Sequence, residues 1–259
     1  MKELILITGA SSGIGTEMAM QLAKKGHDLI LTARRKDRLE KMKAELEAKH
    51  GVAVHVFVSD LSSTENAKKL MRDIKAKHLT PTMLVNNAGF GEYGDFTESN
   101  LDLELDMIQL NISSLVTLTK LCIHDMKAVN RGSILNVASL LSFFPFPYYS
   151  VYAATKAFVL SFSEAIRSEL SNTGIAVNVL CPGPTDTEFT DQRMLNTNSY
   201  QSMKMEPADE VAAKGVHMLL NKNTTAISGF MNKVVAFTPR FSPRWLTLKI
   251  NKHMASQAN

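Results

Sequence analysis

The residues of this chain best suited to chemistry are Ser139, Tyr152 and Lys156. Tyr152 and Lys156 are four residues apart, so a phenol and an ammonium share one face of a helix. Ser139 stands thirteen residues before Tyr152, at the end of an expected strand. A free tyrosine has a pKa of about 10 and holds its proton near neutrality. A nearby cation favours the phenolate, and Lys156 or a positively charged oxidised nicotinamide would each supply one. In the reductive direction Tyr152 gives a proton as hydride reaches a carbonyl carbon, while Ser139 hydrogen-bonds the carbonyl oxygen. Lys156 can also bind a nicotinamide ribose, and Asn111, in a long helical segment, can hold a water that refills the proton. A second Tyr-x-x-x-Lys, Tyr200 to Lys204, sits in a polar irregular stretch with no serine-bearing strand before it and reads as coincidence.

A hydride carrier needs a cradle. Thr8-Gly9-Ala10-Ser11-Ser12-Gly13-Ile14-Gly15 follows a strand and opens a helix, the context in which a glycine turn holds a pyrophosphate. The glycines allow the tight turn, and the helix N-terminus offers free N–H groups and positive potential. About twenty residues on, where an acid would hold a ribose 2′-hydroxyl, the chain has Arg34 and Arg35. Guanidinium groups suit a 2′-phosphate, so the implied cofactor is NADP(H), with Arg34 the first choice and Arg35 the second. Asp60 and Asn86-Asn87-Ala88-Gly89 follow the third and fourth strands, at the sheet edge where such folds bind ligands.

The elements that must position these residues alternate. Strands are expected at 4–7, 28–33, 52–58, 82–85, 133–138, 175–180 and, as the last, 234–237. Helices are expected at 16–25, 36–49, 64–77, 151–170 and 207–220, and in the later part of 99–129. This pattern predicts an α/β fold, a Rossmann-like doubly wound parallel sheet of about seven strands with helices on both faces. At 259 residues, 45% hydrophobic and 21% charged, one domain over 1–259 is expected, with a basic C-terminal extension from about 238. A net charge of +4 is too mild to call for nucleic acid. Cys122 and Cys181 give no metal-ligand spacing or disulfide framework. With no room for a signal peptide before the first strand and no bilayer-length apolar run, the expected location is cytoplasmic.

Taken together, these motifs resemble the short-chain dehydrogenase/reductase superfamily, in its ordinary single-domain branch. The match runs through Thr8 to Gly15, Asp60, Asn86 to Gly89, Asn111, Ser139, Tyr152, Lys156 and Pro182-Gly183-Pro184-Thr185-Asp186-Thr187. The resemblance implies a catalytic tetrad of Asn111, Ser139, Tyr152 and Lys156. It implies cofactor contacts from Gly9, Ser11, Ser12, Gly13, Ile14, Gly15, Arg34, Arg35, Asp60, Leu61, Asn87, Ala88 and Gly89. Tyr152, Lys156, Pro182, Gly183, Thr185 and Thr187 would complete them around the nicotinamide. No metal is implied. The stretch from Asn136 to Leu170 is similar to hydroxysteroid and ketoacyl reductases.

The expected activity is NADPH-dependent interconversion of a carbonyl compound and an alcohol. Phe143, Phe144, Phe146, Tyr148 and Tyr149 flank Ser139 and suggest an apolar substrate, although core or dimer packing explains them equally well. Residues 186–205, with Phe189, Met194 and Met203, match the family's substrate loop. Apolar residues Leu115, Leu118, Leu121, Ala157, Leu160 and Ile166 suggest a homodimer or homotetramer, since the family associates through those two helices. From Ser242-Pro243 a short helix would carry Arg244, Trp245, Leu246, Lys249, Ile250 and Lys252; it suits a membrane surface, but packing on its own or a neighbouring subunit is the favoured reading. Two other readings stay open: a catalytically weak NADP(H)-binding regulator, and a methyltransferase, which would have no use for Ser139, Tyr152 and Lys156.

Overall fold

The computed structural model of the protein describes residues 2–189, 192–221 and 224–258. Its first half runs β1 (Leu4–Thr8), α1 (Gly13–Lys24), β2 (Asp28–Ala33), α2 (Lys36–His50), β3 (Val54–Val58), α3 (Thr64–Ala76) and β4 (Met83–Asn86). Next, α4 (Leu101–Ile108) passes through a π-helical turn, Gln109–Ser114, into α5 (Leu115–Ala128). Then come β5 (Gly132–Val137), a 3-10 turn at Leu140–Phe143, α6 (Ser150–Glu169) and β6 (Ile175–Cys181). The remainder holds β7 (Thr185–Asp186), α7 (Gln192–Leu195), α8 (Asn198–Ser202), β8 (Glu206–Pro207), α9 (Ala208–Asn221), β9 (Thr225–Ile227), α10 (Phe230–Phe237) and α11 (Arg244–Ala255).

Seven strands form one parallel sheet in the order β3-β2-β1-β4-β5-β6-β9. Side chains alternate across it, as the two-residue period of a strand requires. Ile5, Ile7, Leu29, Leu31, Val85 and Leu135 pack with apolar residues of α1, α2 and α9 on one face. Leu6, Ile30, Leu84 and Ile134 pack with residues of α3 and α5 on the other. The strand order reverses between β1 and β4, which opens a crevice at their C-terminal ends. There Thr8 Oγ1 accepts from the N–H groups of Asn87 and Ala88, both at 3.0 Å, while Asn87 Nδ2 donates to the carbonyl of Thr8 at 3.0 Å. Behind the crevice, Asn86 Nδ2 donates to Asn136 Oδ1, and Asn136 Nδ2 to Ser163 Oγ, so a buried polar ladder ties β4 and β5 to α6.

Three expectations need correction. The last strand is β9, and 234–237 belongs to α10. Asn232 and Ala236, four apart, are buried while Phe230, Val234 and Phe237 are exposed, a helical spacing. The segment 99–129 is helical almost throughout. Leu115 and Leu118 are buried in the chain's own core, because α5 packs on both the sheet and its neighbouring helices. The exposed apolar side chains of α4 and α6 are Leu101, Leu105, Ile108 and Phe158. The tail helix does form, as α11, and docks on its own chain: Asn251 Nδ2 donates to the Pro145 carbonyl and Tyr93 Oη to that of Ala255.

Candidate active site

Ser139 is fixed where β5 ends. Its Oγ accepts from the Leu141 N–H at 3.1 Å, while its own N–H donates to Ser142 Oγ, closing a reciprocal cap on the 3-10 turn. Ser142 Oγ donates in turn to the Lys156 carbonyl at 2.8 Å, which locks the turn to α6. That carries Tyr152 and Lys156, both buried, on successive turns facing the strand end. The Ser139 O–H remains to donate and faces the Tyr152 phenol, whose ionisation it favours. Lys156 Nζ donates to the Val137 carbonyl at 2.8 Å and lies 5.7 Å from the centre of the Tyr152 ring.

Burial dominates the electrostatics. It pushes the Tyr152 phenol well above its ordinary value, against the opposing pull of the Ser139 hydrogen bond. It also pulls Lys156 down to about 8. In the bare chain burial, and not Lys156, sets the direction of the Tyr152 shift. Both cysteines are free and buried, with burial raising each thiol to about 12, so neither is an activated nucleophile.

A cavity of about 760 Å³ runs from the glycine turn to these residues. Every predicted site residue lines it except Gly15 and Asn111. Gly15 packs beneath the turn, where a Cβ would come within 2.4 Å of the Gly9 carbonyl oxygen. Gly9 has φ +65, and a Cβ there would meet Ala88 Cα at 2.9 Å, so both contacts demand glycine. Asn111 is buried in the π-helical turn. Its Nδ2 donates to the Phe90 carbonyl and to Thr155 Oγ1, and its Oδ1 accepts from the Phe90 N–H. Its side chain is thus a brace between the loop after β4 and α6.

At the far end Arg34 is exposed on the wall, while Arg35 Nε donates to Ser11 Oγ at 3.1 Å. Arg35 and Arg38 both pair with Glu188 at 2.8 Å and hold its carboxyl below the usual range. Arg38 and Glu188 were not anticipated; their partnership joins positions 150 residues apart, with no local signal. Phe144, Phe146 and Tyr149 of the aromatic run line the cavity, whereas Phe143 and Tyr148 pack behind it. Phe189, Met194 and Met203 of the presumed loop also line it; residues 190 and 191 of that loop lie outside the described residues. Tyr200 reaches the wall close enough to Tyr152 to affect its ionisation, but Lys204 lies past the end of α8 and off the wall. The second Tyr-x-x-x-Lys is thus no helical pair, although its tyrosine belongs to the site. Sequence reading also missed Met231, Val235, Ile250 and Met254 of α10 and α11, which close the apolar end.

The family model described as short chain dehydrogenase matches residues 3–198. The chain belongs to this family. The human 17-beta-hydroxysteroid dehydrogenase type 3 is 33% identical over 201 residues, 76% of this chain and 63% of the relative. The chain thus spans under two thirds of that relative's length. The very-long-chain 3-oxoacyl-CoA reductase of Anas platyrhynchos is 29% identical over 97% of this chain and 81% of its own length. Among solved structures, a short-chain dehydrogenase from Sphingobium yanoikuyae in complex with NADPH superposes with a TM-score of 0.80. It is 30% identical, over 92% of this chain and 93% of that one. Among the described residues, no helix is long and apolar enough to cross a membrane, and no cluster of His, Cys, Asp or Glu could hold a metal.

The Lys156 shift has a pH consequence for the ligand-free chain. Between about 8 and the ordinary 10.5, the unfolded chain keeps a proton that the folded chain has released. The Lys156 contribution to stability therefore rises with pH across this window, while the two buried thiols and the Tyr152 phenol, all raised by burial, act the other way. Denaturant titrations should show the native chain gaining stability relative to Lys156→Met as pH climbs from 8 to 10.5. An opposite slope would mean that the buried amine stays charged.

Proposed function

We propose that this dehydrogenase is an NADPH-dependent reductase of lipophilic carbonyl compounds, a ketone, aldehyde or 3-ketoacyl compound, with Tyr152 as the general acid. The observation that carries this reading is the pair of buried hydroxyls, Ser139 and Tyr152, on the wall of a cavity that continues to a glycine turn and a helix N-terminus. The cradle fits a dinucleotide: its glycines leave room for close approach, and the carboxylate of Glu188 occupies the anion position on Arg35 and Arg38 that a 2′-phosphate would take. When bound, the cofactor supplies a hydride. Ser139 and Tyr152 hold the carbonyl oxygen, and Tyr152 gives it a proton as the hydride reaches carbon. Lys156, pulled down to about 8, is suited to exchange protons and to bind the ribose.

A lipophilic substrate follows from the wall opposite the serine, built by Phe144, Phe146, Met194, Met231 and Met254. Burial there gains about 25 cal/mol for each Å² of apolar surface. Association through the exposed apolar side chains of α4 and α6 is part of the same reading, with a dimer or tetramer expected in light scattering and a monomer at micromolar concentration contradicting it.

Tyr152→Phe should lower kcat about 10²- to 10⁴-fold while NADPH affinity stays within experimental error. For the native chain, kcat/KM should climb along a series of ketones of increasing chain length until the cavity is full. Retained turnover in the variant, or a preference for small sugars, would refute the assignment.

Cofactor choice gives a second check. NADPH should bind more tightly than NADH, with charge-assisted bonds contributing about 1.5–3 kcal/mol each. Arg34→Asp and Arg35→Asp should erase the preference, whereas Glu188→Gln should strengthen it by freeing the guanidinium pair. Equal affinities of the native chain for the two cofactors would overturn the phosphate role.

A further inference from the structure

An apolar surface lies outside the active site on α10, α11 and the turn between them. Phe230, Phe241 and Trp245 are 79%, 84% and 67% exposed, and Val234 and Phe237 stand out beside them. So much exposed apolar area concentrated in one stretch marks an interaction site. It adjoins the cavity directly. Val234, Phe237 and Phe241 wall an open groove whose edge residues, Thr238 and Ser242, also line the active-site cavity. The apolar surface is the outer lip of the cavity mouth.

Charge indicates what covers it. No Asp or Glu occurs anywhere from 211 to 259. Lys233, Arg240, Arg244 and Lys249 are exposed, and no salt bridge among the described residues engages them. The Arg240 guanidinium lies 4.7 Å from the centre of the Phe237 ring, so cation and aromatic are presented together. The acids that come near are already engaged: Glu206, beside Gly229 at the start of α10, is held by Lys214 and Ser228, and Asp95 interacts with Lys252 at the far end of α11. A second copy of the chain bound symmetrically on this face would set these cations against their own twins. An anionic lipid surface meets both features: phosphates attract the cations, and aromatic rings settle at headgroup level.

We infer that this face docks the enzyme on an anionic bilayer surface, with the mouth of the cavity turned toward the lipid. α10 and α11 lie in the plane of the interface and do not span it, in keeping with their length. The mouth then opens toward the phase in which lipophilic compounds dissolve. Docking itself does not depend on which carbonyl compound is reduced.

Trp245 is the only tryptophan of the chain and reports on the face directly. The full chain is mixed with vesicles of phosphatidylcholine alone, or of phosphatidylcholine with phosphatidylglycerol. Expected are a blue shift of tryptophan emission and co-flotation with the anionic vesicles, both weakened by salt. Brominated lipid should quench Trp245 in the unsubstituted chain. Phe237→Ser with Phe241→Ser, or Arg240→Glu with Arg244→Glu, should weaken binding about tenfold or more. These variants should keep NADPH affinity and turnover of a water-soluble ketone, because none of the four residues lines the cavity. Absence of binding and quenching on anionic vesicles would overturn the inference. So would binding that folded variants of both kinds retain in full, or a dimer in light scattering that the same substitutions dissociate while vesicles capture nothing.

Discussion

A buried ammonium needs a polar partner, and Lys156 finds one in the Val137 carbonyl at the end of β5. That contact fixes the height of α6 against the sheet. Since Tyr152 sits one turn before Lys156, the same contact fixes the phenol. Ser142 strengthens the arrangement by bridging the Ser139 N–H and the Lys156 carbonyl. The Asn86, Asn136 and Ser163 ladder holds the same strand and helix from behind. The Ser139 and Tyr152 hydroxyls are thus placed by several buried bonds that come from backbone ends as much as from side chains. The cost is desolvation, which raises the phenol and lowers the amine.

The parallel sheet explains how one cavity reaches both the glycine turn and the apolar wall. All seven strands point the same way, so the loops after β1, β2, β4, β5 and β6 meet at one edge. The reversal of strand order between β1 and β4 leaves space there, and Thr8 and Asn87 keep it from collapsing by lacing the two strand ends together. One half of the cavity is rich in backbone N–H groups and arginine, the other in aromatic and methionine side chains. A charged dinucleotide and an apolar compound can therefore meet without either entering an environment hostile to it.

Features that depend on short spacings were legible in the sequence. Alternating strand and helix periods gave six of the seven sheet strands, and the glycine turn, Ser139, Tyr152 and Lys156 all fall where their spacing put them. β9 escaped because three residues are too few to display a period. The run at 234–237 misled because its two adjacent valines mimic a strand, while the buried Asn232 that reveals the helix is polar. Arg38 and Glu188 meet only through the fold. The share of α10 and α11 in the apolar wall depends on how the tail folds back, which Asn251 and Tyr93 fix through bonds to distant carbonyls.

In the proposed reaction, hydride arrives at a carbonyl carbon while Tyr152 supplies the proton. Turnover of a lipophilic ketone with NADPH carrying deuterium at the transferable C4 position, run in light and in heavy water, tests it most directly. The account predicts one deuterium on the carbinol carbon of the alcohol, with none reaching that carbon from solvent, and a solvent isotope effect that reflects transfer of the phenolic proton. An alcohol whose carbinol hydrogen comes from water would contradict it.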